Sequence, residues 1–158
     1  MATDLHIIII FLFAFACLYS YLTMTHLPRF KVDQKSAQQI KTYGLIHFTF
    51  HQNVESILRE GLIPDDSKKM SFLEKDMVWF FDADPAKYHR NLAEVRSKGI
   101  RKDVDTVVLF KKDCISISEL KMRRKPQAIV HIGKVDPKYI EVMSIDAYEQ
   151  KYISKNIA

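Results

Sequence analysis

The sequence predicts an α+β fold, a mostly antiparallel or mixed sheet with flanking helices, standing behind one apolar N-terminal helix. Three observations predict it. Apolar runs of strand length recur from Leu45 onward, amphipathic helical stretches fall irregularly between them, and residues 5–24 form one uncharged run. An irregular mixture of strands and helices, rather than a regular βαβα order, separates this class from α/β.

The first run, LHIIIIFLFAFACLYSYLTM, contains no charged residue. At about 1.5 Å per helical residue it covers roughly 30 Å, the thickness of bilayer hydrocarbon. The expected organisation is a tail over 1–4, a transmembrane anchor over 5–25, a juxtamembrane linker with a short helix over 26–42, and one domain over 43–158. Asp4 alone flanks the start, whereas His26, Arg29 and Lys31 follow the end. Basic flanks stay inside, so the expectation is a single-pass membrane protein, the bilayer its partner through 5–25 and its domain cytoplasmic. A cleaved signal peptide would want a basic start and a shorter apolar run. A buried core helix would show one polar face.

The chain carries 24 Lys plus Arg against 19 Asp plus Glu. This mild excess makes the domain basic and receptive to phosphate-bearing ligands or nucleic acid. The densest cluster is Lys121, Arg123, Arg124 and Lys125, but the charges are otherwise scattered, as on a solvated face. Cys17 lies in the apolar run and Cys114 in the domain, so the two cannot pair, and an unpaired thiol fits a reducing compartment. There is no CxxC, HExxH, Walker-type or GxGxxG pattern and there are only 4 Gly. No metal site, P-loop or Rossmann unit is expected.

Along the domain, a short helix is expected around Ser36 to Thr42. Leu45 to Phe50 alternates as a strand, with His47 and Thr49 on one face and Ile46, Phe48 and Phe50 on the other. A helix follows, capped by Asn53 and closed by Gly61. Asp65 to Lys69 is a polar loop, and Met77 to Phe81 is a buried aromatic strand. Asp84-Pro85 starts a helix running to about Lys98. Val104 to Phe110, Ile115 to Ser118, Gln127 to Ile132 and Tyr139 to Ile145 read as strands, and an amphipathic helix over Asp146 to Lys155 ends the chain.

The block Gly44 to Pro64 carries the most functional information. His47-Phe48-Thr49, followed by Asn53-Val54-Glu55-Ser56-Ile57-Leu58-Arg59-Glu60-Gly61-Leu62, resembles the opening strand-helix unit of the ADP-ribosyltransferase superfamily. Val78 to Phe81 looks like the aromatic strand that follows it there. Gln127 to Ile140, with Gly133, Pro137 and Tyr139-Ile140, is similar to the ending of the branch that includes DNA-modifying toxins and RNA 2′-phosphotransferases. These segments cover about two thirds of the domain.

The resemblance implies a small split mixed or antiparallel sheet whose cleft holds NAD as substrate. It implies that His47 bonds a ribose hydroxyl, that Thr49 or backbone beside it contacts the nicotinamide amide, and that Arg123 and Arg124 take phosphate; Trp79, Phe80 and Phe81 are expected in the core, where one of them, Phe80 among them, could floor the ring by stacking. Loss of nicotinamide builds positive charge on the ribose, so positioning and electrostatics dominate such chemistry. Active members usually place a Glu on a late strand, where this chain has Gln127 and Ala128. Gln127 can hydrogen-bond a ribose hydroxyl but cannot serve as a general base, which leaves Glu74 and Glu141 as carboxylates of unassigned position.

The expected function is thus a membrane-anchored ADP-ribosyltransferase-like domain binding NAD or a related nucleotide. If active it would transfer ADP-ribose or a phosphate to a protein or nucleic-acid acceptor, with His47 and Gln127 as its catalytic candidates. The alternative is a catalytically inactive anchored module that binds a nucleotide or a protein. For His47, the competing structural role is a strand histidine satisfied by a backbone carbonyl.

Overall fold

The computed structural model describes residues 2–26, 30–64, 76–97, 102–123 and 128–154, with the backbone alone over 2–5 and 22–26. In chain order the elements are α1 (Ala2–His26), β1 (Phe30–Lys31), α2 (Gln34–Tyr43), β2 (Leu45–Thr49), α3 (Val54–Glu60), β3 (Met77–Asp82), α4 (Pro85–Ser97), β4 (Thr106–Phe110), β5 (Leu120–Arg123), β6 (Ala128–Ile132), β7 (Ile140–Ser144) and α5 (Ile145–Tyr148). The class is α+β. Seven strands form one antiparallel sheet in the order β1-β5-β6-β3-β2-β4-β7.

Strand pairing leaves a short seam at the middle of the sheet. β2 pairs with β4 along its whole length, Leu45↔Phe110 to Thr49↔Thr106, but with β3 only at Leu45↔Asp82 and Ile46↔Phe81. β3 continues its pairing with β6 from Met77↔Ile132 to Phe80↔Ile129. The two halves therefore join at one end of the β2–β3 pair and part beyond it.

Side-chain alternation divides the core between the two faces of the sheet. On one face Leu45, Val78, Phe80, Val108, Phe110 and Ile129 pack with Ile40 of α2 and Ile57 of α3. On the other, Ile46, Phe48, Val107 and Leu109 pack with Tyr88, Leu92 and Val95 of α4 and with Ile145 and Tyr148 of α5. Tyr88 and Tyr148 stack at 5.2 Å, and burial pushes both phenols well above their ordinary range. Each face thus has its own helical layer, as a two-sided sheet with a buried interior requires.

Several expectations are corrected. The anchor expected over 5–25, with its single-pass topology and cytoplasmic placement, is overturned: among the described residues no helix is long and apolar enough to cross a membrane. The segment expected as a linker with a short helix has that helix, α2, whose Ser36 and Ile40 are buried, and in addition β1, which pairs with β5 at Phe30↔Met122.

Ile115 to Ser118 is not a strand. It follows one 3-10 turn, Lys112–Cys114, and runs into another, Ile117–Glu119, and the strand is Leu120–Arg123, where Leu120 and Met122 turn inward. Asn53 does not cap α3; its Nδ2 donates to Thr49 Oγ1 at 3.0 Å. The final helix has only four α residues before a π turn over Glu149–Ile153, and Ser144 caps it through the amide of Ala147. The Asp65 to Lys69 loop lies outside the described residues.

Asp33 caps α2. The amide of Ser36 donates to Asp33 Oδ1 at 2.8 Å, and this contact holds the Asp33 carboxyl below its ordinary value of 3.8. A depressed folded value adds stability above the unfolded value and loses it as pH falls through the folded one. Asp33→Ala is expected to cost about 1 kcal/mol at pH 7. The gap between mutant and wild type should narrow below about pH 4. Urea midpoints at pH 7 and pH 3 check this, and a gap independent of pH would refute it.

Candidate functional site

His47 stands where β2 and β3 part. The register Leu45↔Asp82, Ile46↔Phe81 would, if continued, set His47 opposite Phe80, but main-chain pairing stops one residue earlier. There the imidazole reaches across the opening, with Nδ1 2.8 Å from the carbonyl oxygen of Trp79. A carbonyl only accepts, so Nδ1 carries the proton of this bond. The ring meets Phe80 edge-on at 6.1 Å, and Phe80 in turn packs on Phe110 at 5.7 Å.

The remaining expected residues separate. Thr49 follows His47 on the same face, yet it is buried, 6% exposed, and its hydroxyl accepts from Asn53. Phe80 is 1% exposed, so it backs the His47 ring from within the core rather than flooring an open cleft. Arg123 lies across the sheet from His47. Cross-strand partners share a face, and the pairs Met122↔Ile129 and Phe80↔Ile129 put Arg123 on the opposite side, with its guanidinium 4.6 Å from the ring centroid of Trp79. The Arg123–Trp79 stack and the His47–Phe80 pair therefore flank the same seam from opposite faces. Arg124 and Gln127 lie outside the described residues.

Carboxylates are also assigned. Glu141 on β7, two strands from β2, accepts from Lys151 at 2.7 Å and from the Tyr152 hydroxyl at 3.3 Å. β6, reading AIVHI, contains no Asp or Glu. Glu119 stands 3.7 Å from His131, whose other ring nitrogen lies 3.3 Å from the Gly133 carbonyl oxygen. Glu74 lies outside the described residues. Among those described, no cluster of His, Cys, Asp and Glu could hold a metal ion.

Sequence reading missed a second polar concentration at the far end of β2. A cavity of about 240 Å³ opens there, lined by His51, Arg96, Val104, Asp105, Thr106, Ser144, Ile145 and Asp146. These residues come from four separated stretches, and only the strand register, which aligns Thr49, Thr106 and Ser144, brings them together. A much smaller hollow of about 20 Å³ lies between α4 and β6, lined by Phe81, Asp82, Lys87, Arg90, Asn91, Ala128 and Ile129. It is room for a single water. No family model matches the chain, and no curated protein or solved structure matches it.

Proposed function

We propose that the domain binds NAD or a related nucleotide at the β2–β3 seam, as an ADP-ribosyltransferase-like module. The observation that carries this reading is the His47 imidazole, held in one tautomer by the Trp79 carbonyl at the point where the strands separate. A ring oriented by that bond is held in place where a ribose hydroxyl would meet it. On the other face, Arg123 over Trp79 supplies a cation beside an aromatic surface, a combination suited to a base and its phosphate.

Transfer is a separate matter. Removing nicotinamide and activating an acceptor calls for a carboxylate near the ribose; neither β2 nor β6 carries one, and Glu141 is engaged on β7. The engagement of Glu141 with Lys151 and Tyr152 favours the second reading, a nucleotide-binding module without catalysis. Arg124 and Gln127 belong to the proposal as the residues that would complete the phosphate and ribose contacts.

Trp79, the single tryptophan, is a built-in reporter. NAD titrated into the full chain should change its fluorescence saturably, and His47→Ala should weaken the affinity about tenfold or more, the worth of one well-placed hydrogen bond to a polar ligand group. A flat titration by a folded protein would retire the nucleotide reading. Release of free nicotinamide during the titration would overturn the non-catalytic reading and restore transfer.

A further inference from the structure

The cavity at the end of β2, β4 and β7 is separate from the seam. His51 follows β2, Val104 and Asp105 precede β4, Ser144 ends β7, Asp146 lies in α5, and Arg96 comes from the last turn of α4. Asp105 ties these segments together. Its Oδ1 accepts from the main-chain amide of His51 at 2.7 Å and from the Thr106 hydroxyl at 2.9 Å, while its carbonyl accepts from the amide of Ile145 at 2.8 Å. Arg96 is steered into the same place by an Nη2 bond to the Val104 carbonyl at 3.1 Å. The walls are therefore built by hydrogen bonds between elements rather than left by loose packing.

The lining then presents groups in excess of those its own structure uses. Among the described residues, neither the His51 imidazole nor the Asp146 carboxylate has a hydrogen-bond partner, and only one oxygen of Asp105 is engaged. Because Asp105 holds the main-chain amide of His51 and not its ring, no Ser–His–Asp relay is assembled with Ser144. The arrangement suits binding rather than nucleophilic catalysis.

Size and charge choose the ligand. About 240 Å³ is below the roughly 300–1,000 Å³ of sites for drug-sized molecules, so a single substituted ring fits and a dinucleotide does not. Two carboxylates face one guanidinium, which disfavours an anion. Carboxylates accept strongly from hydroxyls, Arg96 and His51 can donate to hydroxyl or ring oxygens, and Val104 with Ile145 offers an apolar wall for C–H groups. We propose that this cavity binds one uncharged sugar ring, a pentose or hexose, through Asp105, Asp146, Arg96 and His51.

The test is an amide-resolved NMR titration of the full chain with D-ribose and D-glucose. At least one should give saturable shifts at the amides of His51, Thr106, Ser144 and Asp146. Asp146→Asn, an exposed position, should weaken that binding about tenfold, as expected on loss of a charge-assisted hydrogen bond, while the spectrum elsewhere stays unchanged. Arg96→Ala is the second variant and should weaken it as well. Shifts that never saturate with either sugar, or binding unaltered in both variants, would overturn the proposal. Tighter saturation by inorganic phosphate or by ethylammonium would also overturn it, in favour of an anion or a cation site. NAD binding at the seam should survive Asp146→Asn, so this proposal and the nucleotide reading can fail separately.

Discussion

Gly61→Ala is expected to cost about 4 kcal/mol, whereas Gly133→Ala should cost only about 1–3 kcal/mol. The two glycines share a left-handed backbone, each at φ +83°. An L-residue at a φ of this sign is strained, by about 1–3 kcal/mol. They differ in what surrounds them. A Cβ at Gly61 would overlap the carbonyl oxygen of Val135 and touch Pro137, while at Gly133 nothing lies within 4 Å.

The overlap cannot be relieved cheaply, because the Val135 carbonyl is already an acceptor. Leu62 donates to it at 3.0 Å, and Val135 donates back to the Leu62 carbonyl at 2.9 Å. Moving that strand pair apart weakens two main-chain hydrogen bonds, each worth about 1 kcal/mol. It also lifts Leu62 and Val135 from the core. Urea denaturation of the two variants side by side measures the difference. Equal losses would show that backbone conformation alone matters and that the Leu62–Val135 bridge contributes little.

Phe80→Ala should be the other severe change, about 3–5 kcal/mol for a fully buried aromatic ring. Phe80→Leu keeps most of the volume and should cost less than about 1.5 kcal/mol. The pair separates packing from positioning. Leucine fills the core against Phe110 but removes the ring edge that meets His47, so the imidazole keeps its bond to Trp79 and loses its backing. The expected result for Phe80→Leu is a stable protein whose NAD affinity falls several-fold toward that of His47→Ala. If Phe80→Leu binds NAD as the wild type does, the Trp79 carbonyl alone orients the ring.

Strands whose apolar periodicity is strong were legible directly. LIHFT alternates in two faces as its pattern demands, and TVVLF is buried as its composition demands, whereas the expected buried strand MVWFFD buries only Val78 and Phe80. Gly61 after an apolar helix was equally readable, since a left-handed residue must close that turn. The LKMR strand was not, because four residues with two long cations resemble a solvated loop until a partner strand takes their inward side chains. Asn53 looked like a cap, but Thr49 one turn earlier competes for its side chain, and a pairing of side chains is invisible to a rule about one position. The uncharged run 5–24 satisfied a length rule on the letters, yet among the described residues no helix is long and apolar enough to cross a membrane.

Local chemistry by itself determined the class of most elements, the face on which His47 and Thr49 lie, and the position of the turn at Gly61, because each depends on residues within one or two turns of chain. Only the tertiary structure decided that β2 and β3 part after Ile46, that His47 spends Nδ1 on Trp79, that Arg123 stands on the opposite face, and that His51, Arg96, Asp105, Ser144 and Asp146 line one cavity. Those facts rest on strand register, and register is set by which nonlocal pairing buries both apolar faces at once. No window of sequence contains both partners of such a pair.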